Sequence, residues 1–219
     1  MRRLFKATAL AVCFFTAVYA PAFLITALVR PTITAAIPIV IIISLGVSVL
    51  IMIALSKRPQ GLAEFGFRLP QPKYVWLCLA FGAVLGLVTG YVTYLFPTKP
   101  PYDVSKFTPT LNVLYFVLGA SVQEEVIFRG LLQTTIARIS VGCVNVFGIT
   151  LGAEVVVIAT LFCLIHIPEG PAVALSALLL GLFAGEFRKR SGSLVPAMLV
   201  HMLFNASSAI FGFLPRLSR

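Results

Sequence analysis

Charge is scarce in this 219-residue chain: Asp, Glu, Lys and Arg together make up 11% of it, and acidic residues number only seven. With 59% hydrophobic residues and a mean hydropathy of +1.03, that scarcity excludes a soluble globular protein and points to the polytopic membrane class. Histidine occurs twice, at His166 and His201. The four cysteines, Cys13, Cys78, Cys143 and Cys163, have no metal-type spacing and read as apolar thiols rather than ligands or disulfides. There is no H-E-x-x-H, so the usual zinc helix is missing. No Ser or Cys nucleophile has an obvious base beside it. No internal repeat of the kind that marks many transporters is visible.

What the chain has is length of apolar run. A membrane-crossing helix needs about 20 mostly apolar residues, and seven stretches qualify: Leu4–Val29, Ile33–Leu55, Tyr74–Phe96, Thr110–Leu132, Val146–Ile167, Ala172–Phe187 and Leu194–Leu214. The expected fold is an all-α transmembrane bundle of about seven spans, with no separate soluble domain. Residues 1–108 read as N-terminal helices with an interfacial loop, and 109–213 as the core that carries the chemistry. Val18-Tyr19-Ala20 resembles a signal cleavage site, but the apolar run continues past Pro21, which favours an uncleaved first span.

The net charge of +10 reads as a topology signal rather than a nucleic-acid footprint. With the N-terminus inside, Arg2, Arg3, Lys6, Lys57, Arg58, Arg68, Lys73, Arg138, Arg188, Lys189 and Arg190 fall on the cytoplasmic side. Arg30, Lys99, Lys106, Arg216 and Arg219 fall outside. The short chain and minimal loops suggest a prokaryotic plasma membrane. Ala63-Glu64-Phe65-Gly66-Phe67-Arg68 reads as a short amphipathic interfacial piece. Gly82, Gly86 and Gly90 form a small-residue stripe that permits close helix packing. Pro97, Pro100, Pro101 and Pro109 predict a stiff, non-helical loop.

Against this apolar background, Glu124, Glu125, Arg129, His166, His201 and Asn205 stand out, because a charge at a helix centre costs roughly 2.5–3.5 kcal/mol on insertion scales. Residues four apart share a helix face. Glu125 and Arg129 are therefore expected to pair and neutralise one another, leaving Glu124 free. His201 and Asn205 share a face of the last span, and His166 ends the fifth, four residues after Phe162. Taken singly, each has an ordinary reading: a snorkelling pair, an interfacial histidine, an interhelical Asn. Together they place a carboxylate, two imidazoles and a carboxamide on three helices of one bundle. That set suffices for peptide hydrolysis by water. A desolvated Glu124 acts as base, His166 shares the water or protonates the leaving amine, and His201 with Asn205 donates to the oxyanion.

The elements E-E-x-x-x-R, F-x-x-x-H and H-x-x-x-N, in this order on late spans, resemble the CAAX-protease and bacteriocin-processing (CPBP, or Abi) family of intramembrane proteases. Phe128-Arg129-Gly130-Leu131, Gly181-Leu182-Phe183-Ala184-Gly185 and Ser191-Gly192-Ser193-Leu194-x-Pro196 extend the likeness over roughly Thr110 to Ala206. The resemblance implies a membrane endopeptidase acting on prenylated CAAX proteins or on bacterial peptides. It also implies Glu124 as the water-activating residue, His166 as its partner, His201 and Asn205 at the oxyanion, and Glu125 with Arg129 as support. Members of the family are described both as metalloproteases and as metal-independent glutamate proteases. No cofactor is demanded by the sequence. If a divalent metal such as zinc is bound, Glu124, His166 and His201 are the expected ligands. The expected partners are a peptide or prenylated protein substrate and membrane lipid, with no nucleic acid. Two rival functions use the same residues: a transporter with a proton relay, and a non-catalytic immunity or interaction protein.

One depth is inconsistent. Glu124 lies about 21 Å from the outer end of its span and His201 about 10 Å from the inner end of the last, which agree for a core about 30 Å thick. His166 falls too near the outer end if its span begins at Val146. A start nearer Glu154, with residues 138–152 at the interface, resolves the conflict.

Overall fold

Glycine spacing decides how the site-bearing helix is held. The computed structural model describes residues 2–57, 59–96, 98, 107–139, 142–146 and 149–212. Arg58, Pro97, Lys99, Pro100, Pro101, Lys106, Leu214, Arg216 and Arg219 lie outside the described residues. Within them run α1 (Arg2–Val29), α2 (Ile33–Leu55), a 3-10 turn (Gly61–Phe65), α3 (Pro72–Leu95) and a continuous helical segment α4 (Pro109–Ala137). After these come strands β1 (Cys143–Val146) and β2 (Ile149–Gly152), α5 (Ala153–His166), a 3-10 turn (Ile167–Glu169), α6 (Pro171–Ser191) and α7 (Leu194–Gly212). Six of the helices, all but α5, are long and apolar enough to cross a membrane. The protein is an all-α, multi-pass integral membrane bundle.

The fifth span differs most from its first outline. β1 and β2 pair antiparallel, Cys143 opposite Gly152 and Val146 opposite Ile149, so residues 143–152 form a hairpin and α5 begins only at Ala153. The later start is the one that reconciles the depths. Lys189 on α6 pairs with Glu154 at 2.9 Å and fixes that end of α5. The sixth span is longer than expected: Pro171 opens α6 at its first position, where a missing N–H is harmless, and the helix continues through Arg188-Lys189-Arg190 to Ser191.

The chain then turns within three residues. Gly192 closes α6 at φ +68°, its N–H reaching the Arg188 carbonyl. Ser193 Oγ accepts from Val195 N at 3.2 Å and caps α7. This turn is tied down by the loop before α3. Arg68 Nε donates to Gly192 O at 2.7 Å, Leu194 N to Gly66 O at 2.9 Å, and Ser193 Oγ to Arg68 O. Glu64 pairs with Arg138 at 2.8 Å, and Phe65 is fully buried. The expected interfacial piece is thus a latch across the basic end of the bundle.

The Gly82-Gly86-Gly90 stripe of α3 lies against the backbone of α7 at Val200, Phe204 and Ser208. Rising numbers meet rising numbers, so the two helices run parallel. On the other side of the bundle, Gly181 and Gly185 of α6 meet Ala159 and Val155 of α5 in an antiparallel pair. In a bilayer such close approach of small residues supplies the packing that apolar burial supplies in water.

Candidate active site

Glu125 and Arg129 face the centre of the bundle from α4, and both side chains are fully buried. Arg129 Nη1 stands 3.0 Å from Glu125 Oε1. The contact is ionic rather than a well-directed hydrogen bond. The guanidinium lies over the rings of Phe162, at 4.8 Å, and Phe128, at 5.8 Å. A β-carbon at Gly181 would be in ordinary contact with Arg129 Nη2 at 3.5 Å, while its tight neighbour is Ala159 Cα at 2.9 Å. Four residues on, Gln133 Nε2 donates to the Gly185 carbonyl at 3.0 Å.

The same Glu125 oxygen accepts from His201 Nδ1 at 2.8 Å. A carboxylate can only accept here, so Nδ1 carries the hydrogen and Nε2 is left with its lone pair in the neutral ring. That Nε2 is 3.9 Å from Glu124 Oε2, too far for a direct hydrogen bond but within ion-pair range once the ring is protonated. A chain of alternating groups results: Arg129, Glu125, His201, Glu124. Its outer end is the least enclosed, with 21% of the Glu124 side chain exposed against none of Glu125.

Two cavities flank this chain. One, of about 210 Å³, is lined by His166, Glu169, His201 and Asn205 together with Phe162 and Thr89. His166 Nδ1 donates to the Phe162 carbonyl at 2.7 Å and its ring packs on Phe162 at 4.6 Å, which leaves Nε2 as its free nitrogen. Phe162 also meets His201 edge-on at 5.9 Å. The second cavity, about 330 Å³, holds Glu124 and Gln123 from α4 and is walled by Tyr19, Phe23, Ile37 and Ile41 from the first two helices.

Asn205 is engaged: its Nδ2 donates to Phe116 O at 3.0 Å and Ser121 Oγ at 3.1 Å. Both amide hydrogens are therefore committed, and donation to an oxyanion requires one of those bonds to be released. Among the described residues no three His, Cys, Asp or Glu side chains gather closely enough to hold a metal ion. Glu124, His166 and His201 are not gathered into such a cluster.

Residues 106–207 match the family model described as type II CAAX prenyl endopeptidase Rce1-like. This segment is similar to Rce1-like endopeptidase domains. No curated protein and no solved structure matches the chain. The Rce1-like match encloses the E-E-x-x-x-R, F-x-x-x-H and H-x-x-x-N elements, in agreement with the CPBP resemblance. At family level the likeness supports a CAAX-type intramembrane protease, a hydrolase.

The matched segment brings His166, His201 and Asn205 to one cavity and Glu124 to the edge of His201. Three contributors escaped the sequence reading. Ser121 holds Asn205. Gln123 donates to Ser44 Oγ at 2.7 Å and to Tyr19 Oη at 3.4 Å, tying α4 to α2 and α1. Glu169 shares the His166 cavity, where burial pushes its carboxyl above the ordinary range, His166 partly opposes the shift and Glu124 adds to it. The spacing His166-x-x-Glu169 was the available signal for the last.

Proposed function

We propose that the matched segment hydrolyses a peptide bond with a water activated by Glu124. The observation that carries this reading is the Glu124 carboxylate beside His201 Nε2 while Glu125 holds the opposite nitrogen. Glu125 orients the imidazole and holds its hydrogen on Nδ1, as a carboxylate does for a catalytic histidine. Glu124 takes a proton from water, and the water oxygen bonds to the scissile carbonyl carbon. The oxyanion is met by protonated His201, and by Asn205 when it releases Phe116 or Ser121. As the carbon–nitrogen bond breaks, the departing amine takes a proton returned by Glu124 or held at His166. One water is consumed, its hydroxyl on the new carboxyl and its hydrogen on the new amine.

The apolar cavity between α1, α2 and α4 accommodates the greasy side of a substrate next to Glu124. A prenylated CAAX-type C-terminus suits it; a hydrophobic bacterial peptide is the second occupant to assay. In this reading residues 109–213 carry the catalytic groups, 1–108 wall and seat them, and the N-terminus faces the cytoplasm. The test is cleavage of quenched-fluorescent peptides, prenylated and plain, by purified protein in proteoliposomes. Glu124→Gln should lower kcat by roughly 10²–10⁴-fold, the usual worth of a general base, without loss of fold. Normal processing by a folded Glu124→Gln protein overturns the mechanism. Turnover is expected to survive a chelator; loss that zinc restores would make Glu124 and His201 ligands instead.

A further inference from the structure

A cavity of about 620 Å³ takes no part in the site above. It lies between α3 and α6 at the basic end of the bundle, with Leu151 of the hairpin at its edge. Leu77, Phe81, Leu179 and Phe183 wall it, and Leu77 and Phe183 are exposed, so the groove opens sideways into the surrounding apolar medium. From Arg190 to Leu179 it follows α6 for about 16 Å, close to half of a hydrocarbon core about 30 Å thick. Its depth is that of one leaflet.

The mouth of the groove is polar and carries an excess of positive charge. Lys73 stands at the start of α3 with its ammonium 5.1 Å from the Tyr74 ring centre, and makes no ion pair among the described residues. Arg190 closes the other side; its Nε pairs with Glu186 at 3.0 Å while its side chain stays largely exposed. Two cations against one carboxylate leave one positive charge over an apolar slot. A singly charged phosphodiester carrying an acyl chain matches both halves.

We propose that this groove is a binding site for an anionic glycerophospholipid of the phosphatidylglycerol type, one acyl chain along α6 and the phosphate between Lys73 and Arg190. A basic residue near a membrane surface favours an anionic headgroup by about fivefold, so the two together give a preference on the order of tenfold or more over a zwitterionic lipid.

The test is native mass spectrometry of the detergent-solubilised full chain with equimolar phosphatidylglycerol and phosphatidylcholine of identical acyl chains. The wild type should retain phosphatidylglycerol about tenfold more often. K73Q/R190Q should reduce that ratio to near one while still retaining lipid. Leu179→Trp, which fills the slot, should lose retention of both lipids, and each variant is checked for an unchanged thermal melt. Equal retention by the wild type, or an undiminished preference in K73Q/R190Q, overturns the proposal. Displacement of the bound lipid by a prenylated peptide, but not by excess phosphatidylglycerol, overturns it too and assigns the groove to substrate. None of these readouts depends on peptidase activity.

Discussion

Replacing Gly86 by alanine should disable the site from outside it. A β-carbon at this position would lie 2.5 Å from the Phe204 carbonyl oxygen, 2.8 Å from its Cα and 2.9 Å from Ser207 Cβ, where ordinary contact is 3.4–4 Å. Two of these neighbours are backbone atoms of α7 and cannot swing away. The two helices must separate by roughly 1 Å, and overpacking of this kind costs about 1–3 kcal/mol in stability. Phe204 adjoins Asn205 and lies three residues beyond His201, so the displacement is delivered to both. Misplacing a catalytic group by about 1 Å costs on the order of 10²-fold in rate, or about 2.7 kcal/mol of barrier. The expected result is a kcat reduced about a hundredfold on a prenylated peptide, with KM moved much less and a melt lowered by only a few degrees. Gly46→Ala is the control. Nothing lies within 4 Å of its β-carbon, so it should leave turnover unchanged and stabilise α2 by about 0.5–1 kcal/mol. Wild-type kcat in a folded Gly86→Ala protein would refute the claim that the glycine stripe positions His201 and Asn205.

The two adjacent glutamates should part company in a thermal melt. Glu125→Gln strands the fully buried Arg129 and should cost about 3–5 kcal/mol, whereas Glu124→Gln should leave the midpoint nearly unmoved; equal shifts would contradict the burial difference. Glu169→Gln should simplify the pH dependence. A carboxyl raised by burial keeps its folded-state advantage at acid pH and loses it as pH climbs from the ordinary glutamate range through the raised value. The wild type should therefore lose stability relative to Glu169→Gln over that interval, and its pH–rate profile should contain an inflection that the variant lacks; superimposable curves would exclude Glu169 from the cavity's titration.

The polar residues were legible because helical periodicity fixes their neighbours. Glu125 with Arg129 follows from spacing alone, as does the shared face of His201 and Asn205. The second partner of Glu125 was not legible, since His201 lies on another helix and no local pattern says which carboxylate it will choose. The hairpin at residues 143–152 hid within an apolar stretch, where a short strand and a piece of buried helix look alike. The extent of α6 was misjudged because Arg188-Lys189-Arg190 reads as a loop, although long basic side chains let a helix run on to the interface. Tyr19, Gln123 and Ser121 gain their meaning only from tertiary contacts. The glycine stripe was visible as a packing surface, but nothing in it named α7 as the partner.

The parallel seating of α3 and α7 also sets an order of construction. Parallel neighbours cannot be joined by a tight turn, so the seat made by α3 stays vacant while α4, the hairpin, α5 and α6 are synthesised. Until α7 fills it, the nascent protein holds both glutamates but neither His201 nor Asn205. Under the proposed mechanism an unfinished chain therefore lacks the two groups that would meet the oxyanion.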